Sequence, residues 1–493
     1  MFAASSIPEL IARAGRDPAL RDRVALQTAR ETVTYAGLME RIERVTGALQ
    51  ARGLRRGQRV ALIAGRTADA VAGFFGALAA GAAACVLDAR LAPAEIHRRT
   101  ASAAIDWMLA DAAHAPSATA AAAPRLIRLE EAAGAARRAA IELTPDDDAV
   151  LVMTTGSTGV PKAVLLTHAN LLSNTWGIAE RTGVTPEDRV LHMMPLQHTN
   201  GVNNLLMVPL ACGASVVMLE RFRAETFFDE IAALRPTYIT GVATHYSRLL
   251  AHTPPRGALA GLRFARSGSA PLSAQLHREV ERHLGVPLIH SYGLTEATCT
   301  VAMNPPAARK IGTVGTALAG QRVAVLTPGG DAPLPFGSEG EICIAGPSLM
   351  KGYVPATPAQ DGPRIRNGWL RTGDLGWLDE EGYLTVSGRL KEIIIRGGEN
   401  LSPGRIEEAI LRHPAVSACC VIGSPHSDLG EVPVAFVVAR DRSSVHEKAV
   451  QECVLAELPR SWAPARVILL DALPEIGVGK IDRQALRRLA AKA

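Results

Sequence analysis

A chain of 493 residues, 48% of them hydrophobic, is too long for a single core and predicts two or more domains. Its net charge of +5 is scattered, without Lys/Arg blocks, which excludes a nucleic-acid footprint; "AARR", "ARLAPAEIHRR" and "ALRRLAAKA" read as solvated helix faces. Charges at Glu9, Arg13, Arg16 and Asp17 break up any signal-peptide core, and no stretch holds the ~18–20 uncharged apolar residues of a membrane span.

In chain order, "TYAGLMERIERVTGALQARGL" places apolar residues at i, i+3, i+4 and predicts a helix, followed by a strand at "RVALIAG". The small residues of "VAGFFGALAAGAAACVL" suit a tightly packed helix leading into a buried strand. The Ala/Pro/Ser-rich "AAHAPSATAAAAPRL" reads as a surface connection. Short runs rich in β-branched residues return at "AVLVMTT", "SVVMLE", "PTYITGV" and "VPLIHSYG", and their alternation with helical patterns indicates an α/β fold with mostly parallel sheets. Beyond about residue 312, "GQRVAVLTPGGDAPLPFGSEGEICIAG" reads as hairpins of a β-rich subdomain. A charged turn, a strand, a glycine pair and an amphipathic helix in "SGRLKEIIIRGGENLSPGRIEEAILRHPAV" then open a compact C-terminal unit.

Two residue types are used unusually. The seven cysteines (85, 212, 299, 343, 419, 420 and 453) show no CxxC spacing, which points to a reduced, cytoplasmic protein. Only seven lysines stand among 53 basic residues, so each invites the question of why a planar Arg fork would not serve.

Several motifs carry chemistry. In "LVMTTGSTGVPKAVLL" an apolar strand stops at Thr154, Thr155, Gly156, Ser157, Thr158 and Gly159 before Pro161 and Lys162. Glycine-exposed amides, hydroxyls and a rim lysine suit a polyphosphate, although the GxxxxGK[ST] spacing is absent; a Ser/Thr turn is the bland alternative. "HSYGLTEAT" gathers Tyr292, Gly293, Thr295 and Glu296: a ring to stack on a base, a hydroxyl for a phosphate and a hard oxygen ligand for Mg²⁺, or else a helix cap. "GWLRTGDLGWLDEEGYL" sets Asp374 in a Gly-flanked turn, where a carboxylate can grip ribose hydroxyls or simply form the turn. "GRLKEIIIRGGENLSP" and "LPEIGVGKIDR" add Arg389, Lys391 and Lys480, the last in a glycine-flanked loop. No His/Cys cluster argues for zinc.

In this order and at these separations the motifs resemble the adenylate-forming superfamily of acyl-CoA synthetases, peptide-synthetase adenylation domains and luciferases, over nearly the whole chain. The resemblance implies two α/β sheet subdomains and the β-rich subdomain (about 312–388) within a large N-terminal domain (1–388). A small mobile α+β C-terminal domain (389–493) would follow, hinged near Lys391. It implies that a carboxylate attacks the α-phosphate of ATP, giving acyl-AMP and pyrophosphate, and that the acyl group then passes to a thiol. Adenylation brings two anions together and so needs charge neutralisation and positioning more than acid-base chemistry. Lys480, Mg²⁺ near Glu296, and the Thr154–Lys162 loop on the β- and γ-phosphates would supply it. Thr295 would meet the α-phosphate, Tyr292 with Gly293 the adenine, and Asp374 with Arg389 the ribose. Gly268, Ser269 and Ala270 match the segment between adenine and acyl group, and His198 in "PLQHTNG" borders the acyl pocket, unless it is a core or capping His. After rotation, Gly397 and Gly398 would come to the thiol tunnel.

Three departures stand out: Ala163 for a usual Gly, Ile476 for a frequent Thr, and the unusual "HTNG". The pattern looks closest to coenzyme A ligases of small or medium acids, dicarboxylates and aryl acids included; Arg266 stands where a second carboxylate can be met, and Tyr246 where it can line the pocket. No carrier domain follows Ala493, which favours free coenzyme A over a separate carrier protein, and intact Lys480, Glu296 and Thr295 weigh against a non-catalytic nucleotide sensor. Nothing in the pattern sets an oligomeric state.

Overall fold

The computed structural model describes residues 4–120, 125–154, 162–355, 365–440, 445–476 and 480–491. Two mostly parallel sheets form the bulk of a large N-terminal domain, one of seven strands and one of nine. Alternation across the strands assigns each sheet two buried faces. Val60, Leu62, Leu109 and Val152 point into a core shared with the helices Tyr35–Ala51 and Ala68–Ala79, while Ala61, Ile63, Met108 and Leu151 point the other way. The first core also takes Leu26, Val216 and Met218 from the nine-stranded sheet, so those helices are sandwiched between the sheets. Thr34 and Thr67 cap them through their hydroxyls, and Thr167 with Asn170 forms a reciprocal capping box on His168–Thr182.

Arg322–Leu326 and Gly340–Ala345 form the expected hairpin in a five-stranded antiparallel sheet. That region is not closed on itself. Its strand Gly352–Val354 leaves to extend the seven-stranded sheet beside Lys162–Thr167, and Thr316–Ala317 edges the nine-stranded one. The C-terminal domain is a second five-stranded sheet with helices Pro403–Ile410 and Glu447–Leu455 on one face and Arg483–Ala490 on the other. Strand alternation sends the adjacent Cys419 and Cys420 into those two different cores. All seven cysteines are free thiols.

Local patterns misled in two places. The Ala/Pro/Ser-rich stretch holds the helix Ala115–Ala120, with Ala115 and Ala118 buried, because small side chains let it pack closely. "AARR" is exposed but not helical; it follows the short helix Leu129–Ala133, ended at Gly134. Among the described residues no helix is long and apolar enough to cross a membrane.

Candidate active site

Thr154, Ser267 and Tyr292 end the strands Asp148–Thr154, Phe264–Ser267 and Leu288–Tyr292, and the carboxyl ends of strands are where open α/β sheets hold ligands. Strands Asp148–Thr154 and Lys162–Thr167 run antiparallel, with Thr154 opposite Lys162 and the Thr154 hydroxyl donating to the Lys162 carbonyl at 3.3 Å. Thr155, Gly156, Ser157, Thr158 and Gly159 lie outside the described residues. Ala163, in the place of a glycine, is a fully buried strand residue and takes no part in the loop.

A residue not singled out in the sequence completes this end. The Lys162 ammonium lies 5.9 Å from the centre of the Tyr353 ring, and the Tyr353 hydroxyl donates to Glu296 Oε1 at 2.8 Å. Glu296 is further tied by its carbonyl, which accepts from Met350 N at 2.9 Å. It sits in the single helical turn Thr295–Ala297, whose N-cap is Leu294, so neither Thr295 nor Glu296 is the cap. Among the described residues no group of three or more His, Cys, Asp or Glu side chains forms a metal cage. A lone carboxylate that accepts from Tyr353 through one of its oxygens fits Mg²⁺, which takes one or two protein carboxylates and completes its shell with phosphate and water.

Four residues earlier, Tyr292 donates its hydroxyl to Asp374 Oδ2 at 2.6 Å, while Arg389 Nε lies 3.0 Å from Asp374 Oδ1. Register explains the meeting: Asp374 and Arg389 are cross-strand partners, and Asp374 N is held by the Thr372 hydroxyl. Burial pushes the Asp374 carboxyl above the usual aspartate range, with the Arg389 charge pulling the other way. Gly293 has a packing reason of its own, since a Cβ there would stand 1.7 Å from the Cys299 carbonyl oxygen.

In the segment expected to separate adenine from the acid, Ser269 adopts the left-handed backbone (φ +65°) between Gly268 and Ala270, an uncommon state for a residue with a Cβ. Asn200 Nδ2 lies 3.4 Å from the Ser269 hydroxyl and opens a π-helix, Asn200–Met207, a wide-turned element frequent at functional sites. His198 sits in the turn before it, its carbonyl accepting from Gly201 and Val202 N, and its ring adds to the charges that keep Asp88 below the usual carboxylate range behind Arg90. That turn is anchored by Arg66, which the sequence reading passed over. Its half-buried guanidinium donates to the carbonyls of Leu219, Met194 and His192 and to His192 Nδ1. With Nδ1 accepting, His192 Nε2 carries the proton donated to the Gly201 carbonyl at 3.0 Å. Tyr246 does not line a pocket: it is fully buried and donates its hydroxyl to the Arg266 carbonyl at 2.6 Å.

In the C-terminal domain Lys391 is exposed within the turn Leu390–Glu392, between the last strand of the β-rich sheet and the first of the C-terminal sheet. Gly397 and Gly398, both at positive φ, make the two-residue turn of the hairpin pairing Arg396 with Glu399, and among the described residues they are not joined to the other site residues. Lys480 opens a strand paired with Glu475–Ile476; its side chain and that of Ile476 lie outside the described residues. Arg248 pairs with Glu475 at 3.0 Å, which moors this hairpin to the large domain.

The model of the AMP-binding enzyme family matches residues 12–354, and that of the AMP-binding enzyme C-terminal domain matches 405–480. The chain belongs to the AMP-binding enzymes, the adenylate-forming acyl-CoA synthetases. It is 40% identical to a sulfoacetate–CoA ligase of Cupriavidus necator over 69% of this chain and 67% of that protein. It is 34% identical to a feruloyl-CoA synthase of Amycolatopsis over 92% of this chain and 94% of the relative. The crystal structure of ATP-bound MatB from Rhodopseudomonas palustris superposes with a TM-score of 0.91 at 32% identity, covering 98% of both chains. This synthetase is an AMP-forming acid–thiol ligase, with ATP and coenzyme A as substrates.

Proposed function

We propose that the synthetase activates a small or medium carboxylic acid at the site built around Tyr292–Glu296, with Mg²⁺ at Glu296 and Lys480 delivered from the C-terminal domain. One observation carries this reading: the two ends of that five-residue segment face different partners, Tyr292 meeting Asp374 and Arg389, Glu296 meeting Tyr353 beside Lys162. A nucleotide laid along it has its ribose at the carboxylate–guanidinium pair and its phosphates at the cationic end. Asp374 accepts from the ribose hydroxyls, Thr295 holds the α-phosphate, Thr154 and Lys162 flank the β- and γ-phosphates, and Gly268–Ala270 separate adenine from acid. Bound at Glu296, Mg²⁺ would offset phosphate charge during pyrophosphate departure. His198 borders the acid, and catalysis is mainly positioning and charge neutralisation.

The boundary near residue 388 and the hinge at Lys391 belong to the same proposal. The turn Leu390–Glu392 between two sheets, with Lys391 exposed, can absorb a rotation that exchanges the Lys480 hairpin for Gly397 and Gly398. The free thiols suit a cytoplasmic setting. The acids named for the relatives, sulfoacetate and ferulate, support a small or aryl substrate. The test is pyrophosphate release with Mg-ATP across short, medium, dicarboxylic and aromatic acids, with and without coenzyme A, followed by mass spectrometry. Acyl-CoA is the expected product. Acyl-AMP that accumulates regardless of coenzyme A would move the acceptor to a carrier protein, and no pyrophosphate with any acid would leave a nucleotide-binding protein.

A further inference from the structure

The two domains meet without sharing a core. Among the described residues every hydrophobic cluster lies wholly on one side of the boundary, and Ile394, Val421, Phe436 and Leu486 pack within the C-terminal domain alone. Where the domains face each other a cleft of about 260 Å³ stays open, lined by Ser247, Ser273 and Gln275 on one bank and Leu411, Val416 and Ser417 on the other. Two ion pairs cross from domain to domain. Arg440 Nη2 lies 3.1 and 3.0 Å from the two carboxylate oxygens of Glu279, at the rim of that cleft. Arg248 Nη2 lies 3.1 and 3.0 Å from those of Glu475.

The Arg248 pair reaches further than the surface it joins. Arg248 lies on the helix Ala243–Leu249, which starts just past the carboxyl end of the strand Tyr238–Gly241, the neighbour of Phe264–Ser267 in the sheet. On the other side, Glu475 pairs with Ile481 and Ile476 with Lys480, and Asp482 N donates to the Pro474 carbonyl at 2.7 Å. The Glu475 and Lys480 strands therefore move together. Arg483 follows them. It donates to the Val421 carbonyl at 2.7 Å and lies 3.0 Å from Glu407 and 3.3 Å from Glu392, the last residue of the turn Leu390–Glu392. Seating Glu475 thus seats the Lys480 strand, and Arg483 ties that position to the hinge turn.

We propose that Arg248 is a positioning residue of the adenylation step: by gripping Glu475 it seats the Lys480 strand against the large domain, with Glu279 and Arg440 as a second clasp. This role rests on the reading of Lys480 as the adenylating cation and names what brings it there. Charge suits the task better than apolar contact. A shared core would hold one pose through both half-reactions, whereas an ion pair whose Arg248 side chain is 55% exposed contributes little and releases readily. When the domain turns to bring Gly397 and Gly398 to the thiol, all four charged groups return to water. The clasp biases the pose without locking it.

The experiment separates the half-reactions in the full-length enzyme, with whichever acid of the panel above releases pyrophosphate fastest. Pyrophosphate release reads adenylation, and coenzyme A mixed with preformed acyl-AMP reads transfer. Arg248→Glu should slow adenylation about 10-fold, through kcat rather than the KM for ATP, and leave transfer unchanged or faster. The swap Arg248→Glu with Glu475→Arg should recover most of that loss. Raising salt from about 0.05 to 0.5 M should slow wild-type adenylation roughly 3-fold and spare Arg248→Met. A swap that recovers nothing overturns the proposal, as does a loss shared equally by both half-reactions, the mark of a structural brace. If Arg248→Glu does not fold, the swap of Glu279→Arg with Arg440→Glu and the salt dependence of the wild type decide instead. Adenylation that survives Lys480→Ala would sink the reading of Lys480 on which the role rests, and no pyrophosphate with any acid would sink the ligase reading itself.

Discussion

The Asp374 end and the Arg266 end of the candidate site are built on opposite principles. Around Asp374 the polar groups satisfy one another: Tyr292, Arg389 and Thr372 all converge on one residue, and Glu296 already has Tyr353. Around Arg266 they do so less completely: its guanidinium donates to the Ser291 and Thr300 hydroxyls, while among the described residues the hydroxyls of Thr240 and Ser267 have no hydrogen-bond partner. A site for a common substrate can be preorganised by its own hydrogen bonds, which lowers the reorganisation needed on binding. A site that selects one acid among many gains discrimination by keeping groups that only the right acid satisfies.

That contrast can be broken most severely at Asp374. Asp374→Ala leaves Arg389 and Tyr292 without their shared acceptor, and kcat/KM for ATP should fall by about 10²–10³-fold, equivalent to roughly 3–4 kcal/mol. The KM for the acid should hold; steady-state kinetics with each substrate varied in turn would expose a shared site if both changed together.

Arg66 tests the other side. Arg66→Met removes the donor of three carbonyls and of His192 Nδ1, which leaves the turn carrying His198 unanchored. About 3 kcal/mol of stability should be lost, read as a lower denaturant midpoint, and the acid KM should rise more than the ATP KM. An unchanged midpoint would mean that these buried carbonyls find other donors.

The smallest effect is a pH shift. Because burial raises the Asp374 pKa above its unfolded value, the group's contribution to stability is full below the usual aspartate range and is lost as pH rises through the raised value. For function the sign is reversed, since ribose hydroxyls need the carboxylate. The acid limb of kcat/KM for ATP should therefore lie above the usual aspartate range, and Arg389→Ala should move it further up. A limb that stays put in Arg389→Ala would assign it to another group.

The grouping of Tyr292, Glu296, Asp374 and Arg389 was legible because these residues sit in short, self-explaining turns. Tyr292, Thr295 and Glu296 fall within five residues, and Asp374 and Arg389 belong to adjacent strands whose register a hairpin sets. Tyr353 was missed although it lies next to Glu296, because nothing in "KGYVPA" shows that this strand leaves its own sheet to join the edge beside Lys162–Thr167. Arg66 was passed over for a similar reason, and Arg266 was named in the sequence without its neighbours. Their residue type suggests solvent, and only the closure of the two sheets reveals that one is ringed by carbonyls and the other left short of an anion. Tyr246 failed in the opposite direction, a residue near the pocket in sequence whose ring belongs to the core.

By itself the sequence determined the alternation of strands and helices, the hairpins, and the places where glycine and hydroxyl residues interrupt them, because periodicity and turn chemistry act over a few residues. Tertiary structure alone decided which strand edges meet, which polar groups are buried together, and whether a buried charge finds its partner. Those outcomes depend on residues far apart in the chain, such as Thr240 beside Arg266 and Tyr353 on Glu296, brought together only when sheets pair and exclude water.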